Sequence, residues 1–406
     1  MLELLELVQR KNWEALILNI GIDKISFFTS DLYLPMEDLA KARNEDPNKY
    51  LIGIGQSKQA VIRNSQDAVT LAANAAWQIL DEKERQSIDL ILFGTESGVD
   101  NSKSAAVYLQ SLLGINAQAS GVELKQACFG LTAGIQLAMG HIALHPQSRV
   151  LLVGADIARY GIKTAGEPTQ GGGAVAMIMS ANPRILKINL ESAHLTKDIM
   201  DFWRPLYRSE ALVDGHYSSQ EFIDFFQSTF QQYSAKTGQG LNDFAALIFH
   251  LPYTKMGLKA LRSVLEEAPD DQIAEGLLAR FEDSRQLNRE VGNLYTGSLY
   301  LSLLSLLQAR SLREGDQIGL FSYGSGAEGE FYTGEVVQGY ERMLDTSVSE
   351  QLRQRKPVSV TEYEEIYRSF MAAQPSDFVT DYQNDPAHFV LKGQKDQQRQ
   401  YVERKD

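Results

Sequence analysis

The chain has a single cysteine, Cys128, among 406 residues, and that scarcity excludes a good deal. No intrachain disulfide can form, which fits a reducing, cytosolic setting. No cysteine-based zinc site can be built either. The six histidines (141, 145, 194, 216, 250 and 388) are scattered, with no HExxH, calcium loop or His/carboxylate cluster at ligand spacing, so no metal is expected. Positive charge is also short. The 39 Lys and Arg face 52 Asp and Glu, and the formal net charge of −13 argues against nucleic acid, whose binding rests on neutralised phosphates. Long apolar runs are missing as well. No stretch reaches the roughly 20 apolar residues of a membrane helix. The opening MLELLELVQRKNWEALI carries Glu3, Glu6, Arg10 and Lys11, where a signal peptide would be uninterrupted.

What is present is a core-forming pattern. A chain of this length, 44% hydrophobic and 22% charged, fits two domains or one large fold of two similar halves. DAVTLAANAAWQIL (67–80) puts Val69, Ala72, Ala76 and Ile79 on one helical face, with Ser65 or Asp67 to cap it. IDLILFGTES (88–97), RVLLVGAD (149–156) and GGGAVAMIMS (171–180) read as buried strands, and CFGLTAGIQLAMGHIAL (128–144) as a nearly all-apolar helix. Apolar strands alternating with helices predict parallel strands covered on both faces. The second half repeats the order. NDFAALIFH (242–250) is a strand ending in a polar residue, and GNLYTGSLYLSLLSLLQA (292–309) is a turn opening a buried helix. DQIGLFSYGSGAEGEFYTGEV (316–336) is a strand, a glycine loop and a strand. The repeat predicts an α/β fold whose halves face each other across a pseudo-dyad. Aromatics from Tyr217 to Tyr233 recur at helical spacing and suit core packing. Residues 341–377 read as charged helix, and FVLKGQKDQQRQYV from Phe389 as a closing strand pair.

GSGAEG (324–329) matches the dinucleotide fingerprint in letters, but a strand pattern follows where that motif needs a helix. Cys128 carries more chemistry. A free cysteine is often only buried filler. Here it precedes an apolar helix, and a helix N-terminus stabilises thiolate and lowers the thiol pKa. Glu96, in GTESG, ends a strand, where sheets of this kind bind ligands; the commoner fate of a glutamate is an exposed loop. His250 ends the strand ALIFH and, taken alone, suits a satisfied core histidine. Together the three supply a nucleophile and an acid/base pair, the minimum for acyl transfer.

With those residues in place, the sequence resembles the 3-hydroxy-3-methylglutaryl-CoA (HMG-CoA) synthase family in its bacterial form. The carrying segments are GTESGVDNSKS, ELKQACFG, GADIARY, EPTQGGGAVAM, DIMDFWRP, FHLPYTKM, GNLYTGSLY and FSYGSGA, in that order from about Leu18 to Val402. The resemblance implies a thiolase-like fold, two similar halves in αβαβα layers with pseudo-two-fold symmetry. The halves would span 18–184 and 185–406, with 1–17 outside as an N-terminal extension. It implies Cys128 as nucleophile, Glu96 as general acid/base and His250 as acid or electrostatic partner. Asp156, Tyr160, Thr169 and Asp201 would line the pocket. Tyr253 and Lys255 would bind substrate, Lys255 facing a CoA phosphate, although a solvated surface lysine is an equal reading of that residue. Asn293 would bond the acetoacetyl group or His250. The backbone N–H groups of Cys128 and Ser325 would form the oxyanion hole, with Gly324 and Gly326 letting that backbone approach.

The implied reaction condenses acetyl-CoA with acetoacetyl-CoA through an acetyl-Cys128 intermediate, in the mevalonate pathway. CoA thioesters serve as substrates, no cofactor is needed, and the enzyme would be a cytoplasmic homodimer. One rival is a polyketide β-branching synthase acting on carrier-protein-bound β-ketoacyl chains. A ketoacyl synthase could use Cys128, His250 and Asn293, but would leave Glu96 without a role. A non-catalytic binding protein on the same fold would need none of the three.

Overall fold

The computed structural model of the protein describes residues 19–268, 270–370 and 375–404. The extension expected over 1–17, and residues 371–374 of the charged region, lie outside the described residues. Nine strands form one mixed sheet: β1 (Ile20–Phe28), β2 (Ile88–Gly94), β3 (Ser120–Leu124), β4 (Arg149–Ala158), β5 (Gly171–Ala181), β6 (Leu186–Thr196), β7 (Ala246–Phe249), β8 (Gln317–Gly324) and β9 (Glu328–Val336). Their order is β7-β8-β9-β6-β1-β5-β4-β2-β3. Read outward from the centre, β1-β5-β4-β2 is matched by β6-β9-β8-β7. Directions match too. The pairs β4/β2 and β8/β7 are parallel, and the other neighbours in these two sets are antiparallel. The halves join where β1 meets β6, at Gly21 with Lys187 and Ile22 with Leu186. This is the pseudo-two-fold design that the sequence repeat predicts, with β3 added at one edge.

The strands are not all parallel, as their apolar runs suggest. Burial on both faces makes these runs apolar whatever the strand direction, because alternate residues feed different cores. In β2, Ile91 and Phe93 cluster with the helices Ala68–Trp77 and Ala105–Leu113, whereas Leu92 joins the helix Gly130–Leu144. In β7, Ala246 and Ile248 join the helix Ser298–Gln308, whereas Leu247 and Phe249 join the helices Gly215–Thr237 and Thr254–Leu265. The layers therefore run helix, sheet, helix, sheet, helix.

Local signals hold where side chains settle them. The helix Ala68–Trp77 starts at Asp67 in a capping box with Thr70. The other Asp67 oxygen accepts from Arg399 Nη1 (2.6 Å) and Tyr401 (2.9 Å), which pins the C-terminal strand pair Phe389–Lys395 and Gln398–Glu403 against the first half. Phe222, Phe225, Phe226, Phe230 and Tyr233 are core, while Tyr217 is exposed. Among its described residues the charged region holds two short α-helices, Val348–Gln354 and Val360–Arg368. GSGAEG is the turn from β8 into β9, without the helix a dinucleotide site requires.

One expectation from run length is corrected. By length and composition the segment Ala127–Leu144 is apolar enough to cross a membrane. Folded, its helix is the first half's central layer, with Leu131, Ile135, Ala138 and Ile142 fully buried. Both halves place a non-glycine residue in the left-handed region three positions before the central helix: Ala127 (φ 41°) before Gly130, and Tyr295 (φ 45°) before Ser298. Such backbone is uncommon and gathers at functional sites.

Candidate active site

The site is assembled where the two central helices begin. Gly94 ends β2, and a Cβ there would lie 2.7 Å from the Leu131 nitrogen, so only glycine lets the first central helix start against the strand. Beyond it, Thr95 and Glu96 are held by the fully buried Asp156 of β4. Asp156 Oδ1 accepts from Thr95 Oγ1 (2.9 Å) and the Glu96 N–H (2.9 Å). Its other oxygen accepts from Thr296 Oγ1 (2.6 Å) and the Thr296 N–H (3.1 Å), on the turn opening the second central helix. One carboxylate thus ties the ends of both halves together.

The fixed Glu96 backbone aims its side chain at the cysteine: Cys128 Sγ–H donates to Glu96 Oε1 at 3.3 Å. On the far side, Arg204 Nη2 donates to the Glu96 backbone carbonyl and lies 3.7 Å from Oε2. The glycine loop closes over the cysteine turn. A Cβ on Gly324 would lie 2.5 Å from the Gln126 carbonyl, and Gln126 Nε2 donates to the Ser325 carbonyl at 3.4 Å. Asp201, fully buried, braces that loop by accepting from the Gly326 N–H (2.8 Å) and Tyr323 OH (2.9 Å). Asn293 Nδ2 donates to Tyr160 OH at 3.2 Å, and Asn293 Oδ1 accepts from the Tyr295 N–H and Ser298 Oγ. Tyr160, Tyr295 and Phe202 meet edge to face.

Burial governs the charges. It pushes the Glu96 carboxyl up to about 8, with the Asp156 charge adding to it, while Arg204 and the Cys128 hydrogen bond pull the other way and lose. Burial, then Glu96 and Asp156, hold the Cys128 thiol well above its usual range. These act against the thiolate stabilisation expected from the helix, and Cys128 lies one residue before the cap residue Phe129. His250 is buried at the end of β7, its Nδ1 without a partner, and burial drives its pKa down to about 3. It is a neutral imidazole.

Of the residues expected in the site, Glu96, Cys128, Asp156, Tyr160, Asn293, Asp201 and Ser325 are joined by the contacts above. His250 sits at the matching strand end of the second half and makes no hydrogen bond to Asn293 among the described residues, one of the two partners expected for Asn293. Thr169 is half-buried, its hydroxyl donating to the Gly166 carbonyl at 2.8 Å. Its neighbour Gln170 holds the Tyr160 N–H at 2.8 Å. Tyr253 caps the helix Thr254–Leu265, its hydroxyl 3.4 Å from Ser219 Oγ, and Lys255 is half-buried on that helix's first turn, beside Gly55. Thr95, Thr296, Gln126 and Arg204 were not singled out from sequence. For Arg204 the one available signal was a cation inside the segment DIMDFWRP.

Two matched halves with a cysteine and glutamate at the tip of a central helix define a condensing enzyme of thiolase-like fold. Comparison with known proteins narrows the class. Residues 17–183 match the hydroxymethylglutaryl-coenzyme A synthase N-terminal family, and 185–273 with 272–387 match its C-terminal family. A hydroxymethylglutaryl-CoA synthase from Enterococcus faecalis is 50% identical over 352 residues, covering 86% of this chain and 92% of that one. The Bacillus subtilis polyketide 3-hydroxy-3-methylglutaryl-ACP synthase PksG is 31% identical, over 87% of this chain and 89% of its own. A crystal structure of an HMG-CoA synthase complexed with CoA superposes with a TM-score of 0.92 at 42% identity, over 95% of this chain and 100% of that one. MvaS in complex with 3-hydroxy-3-methylglutaryl coenzyme A gives 0.84 at 35% identity, over 95% and 99%. The chain belongs to the hydroxymethylglutaryl-CoA synthase family.

The charge balance predicts the reactivity of the free protein. Iodoacetamide should alkylate Cys128 slowly at neutral pH, with the rate rising only above the usual thiol range. Glu96→Gln removes the second-ranked cause of that elevation, so the alkylation profile should move to lower pH and the neutral-pH rate should increase. A variant slower than wild type at every pH would contradict this.

Proposed function

We propose that the protein joins the acetyl group of acetyl-CoA to C3 of acetoacetyl-CoA, giving 3-hydroxy-3-methylglutaryl-CoA and CoA. The observation that carries this reading is the 3.3 Å contact of Cys128 Sγ with Glu96 Oε1 at the buried start of the central helix, in a chain of this family. A thiol nucleophile needs a group that takes and returns its proton, best with a pKa near the working pH. A carboxyl raised to about 8 meets that need.

The steps follow from the contacts. As Cys128 sulfur attacks the acetyl thioester, its proton passes to Glu96 and from there to the departing CoA sulfur. The Glu96 carboxylate then removes a proton from the methyl of acetyl-Cys128. The freed electron pair forms the bond to C3 of acetoacetyl-CoA, and the alkoxide produced takes up that proton. His250, kept neutral by burial, polarises the C3 carbonyl through a ring N–H. Water finally cleaves the cysteinyl thioester: its oxygen bonds to the acyl carbon, one proton goes to the departing Cys128 sulfur and the other leaves to solvent, giving the carboxylate product and the thiol. Charge develops on the thioester oxygen in three of these steps, the thiol attack, the methyl deprotonation and the hydrolysis, and the N–H groups of Cys128 and Ser325 are assigned to it. Tyr160, Thr169, Asn293 and Asp201 shape the acetoacetyl pocket, and Tyr253 and Lys255 belong to the CoA side.

The same reading divides the chain into halves at 184/185, each contributing its own strand set. It assigns the protein to the mevalonate route and to the cytoplasm, where a lone reactive thiol stays reduced. A second copy of the chain is the proposed partner. The edge strand β3 exposes Ser120, Gly121 and Val122, and Leu137 and Leu144 of the helix packed beside it are 53% and 79% exposed. Unpaired strand edges beside apolar side chains are normally covered. Sedimentation should therefore give twice the chain mass for the wild type and a monomer for Val122→Lys; a wild-type monomer would contradict the dimer.

The activity is tested by mixing the protein with acetyl-CoA, reading one acetyl adduct by intact mass, then following loss of acetoacetyl-CoA enolate absorbance. Cys128→Ala should take no acetyl group. Glu96→Ala should lower condensation by about 10²–10⁴-fold. Absence of an acetyl adduct on the wild type would contradict the reading. Acetylation without consumption of free acetoacetyl-CoA, but with consumption of a carrier-protein-bound β-ketoacyl chain, would replace it by the β-branching reaction.

A further inference from the structure

We propose that Arg204 is a positioning residue of the condensation, clamping Glu96 by main chain and side chain together and supplying the counter-charge the carboxylate needs when it takes a proton from acetyl-Cys128. The proposal rests on the function given above. Arg204 Nη2 donates to the Glu96 backbone carbonyl and lies 3.7 Å from Oε2, while Oε1 faces Cys128. The two carboxyl oxygens are therefore divided between a cation and the nucleophile. Among the described residues Glu96 is the one carboxylate within ion-pair distance of Arg204.

The pair is shielded, with 18% of the Arg204 side chain and 6% of the Glu96 side chain exposed, so screening by solvent is weak. Titratable and charged groups facing Glu96 come from each element packed on it: Cys128 from the cysteine turn, Asp156 and Tyr160 from β4 and its continuation, Tyr295 from the second half's turn, and Arg204. Of these, Arg204 alone is a cation. Its own placement is firm. Phe202 and Trp203 pair with Val213 and Leu212, the Asp214 N–H donates to the Asp201 carbonyl at 3.0 Å, and the Phe202 ring packs on Tyr160 and Tyr295.

The chemistry explains why a cation is needed on that side. In the resting site the thiol S–H occupies Glu96 Oε1. Once Cys128 carries the acetyl group, that hydrogen is gone, and Arg204 is the remaining side chain in direct contact with the carboxylate. When the methyl C–H bond breaks, its proton passes to Glu96 and its electron pair goes into the new C–C bond. Without that cation beside Asp156 the carboxylate would hold its proton to still higher pH, and a smaller fraction would be free to act as base.

The test compares wild type, Arg204→Met and Arg204→Lys in two half-reactions: acetylation of Cys128 by acetyl-CoA, read by intact mass, and exchange of the acetyl methyl protons into D2O across pH. Arg204→Met should still form the acetyl enzyme at high pH, where Glu96 is ionised and can take the thiol proton. The acidic limb of its exchange profile should move up by about one to three pH units, so that exchange near neutrality falls at least tenfold and recovers at high pH. Arg204→Lys keeps the charge without the fork, and its limb should fall between the other two. An unmoved limb in both variants, with the wild type acetylating normally, overturns the role of Arg204 and leaves the proposed function standing. A wild type that takes no acetyl group overturns the proposed function, and this role with it.

Discussion

The buried carboxylate of Asp156 is the constraint on which the site depends. It accepts from Thr95 and Glu96 at the end of β2 and from Thr296 at the mouth of the second central helix, so it fastens the two halves where their chemistry converges. Hydrogen bonds to a charged acceptor are each worth about 1.5–3 kcal/mol, and a donor left unpaired there would cost a comparable amount. The same group sets the electrostatics. Its charge is second only to burial in raising Glu96, and it also contributes to raising Cys128. One residue thus serves as a girder and as a source of field.

Around the nucleophile the site sets Glu96 and Asp156 against one guanidinium, Arg204, and burial opposes ionisation of the groups that react. The thiol stays protonated, the carboxyl sits near 8 rather than 4, and His250 stays neutral. A free thiolate would be reactive toward any electrophile. A thiol hydrogen-bonded to a carboxyl in this part-buried site is activated only as the thioester arrives and the proton moves. The left-handed backbone at Ala127 and Tyr295 is the geometric counterpart, turning the chain sharply before each central helix so that both turns face the same space.

Much of this was legible in the sequence, for physical reasons that also mark the limit. The apolar runs within 88–97, 149–156, 171–180 and 316–336 read as buried strands, and the matching order in the second half pointed to the pseudo-dyad that the sheet order shows. Strand direction was not legible, because antiparallel and parallel strands buried on both faces carry the same pattern. Glu96 stood out as a polar residue ending an apolar strand, and Cys128 as the residue opening an apolar helix. Their proton affinities did not, since these follow from non-local burial and from Asp156, sixty positions from Glu96 along the chain. Arg204 escaped notice because it lies on a hairpin whose strands are two residues each, Phe202–Trp203 and Leu212–Val213, too short for any periodicity to place.

The central claim, that burial and neighbouring carboxylates keep the nucleophile protonated and bonded to Glu96 at rest, can be tested on the one cysteine directly. Infrared spectroscopy of the substrate-free protein should show its S–H stretching band at neutral pH, shifted as for a hydrogen-bonded thiol, and the band should persist to pH values above the usual thiol range. Glu96→Gln should move it. Absence of the band at neutral pH would mean a resting thiolate and would contradict the account.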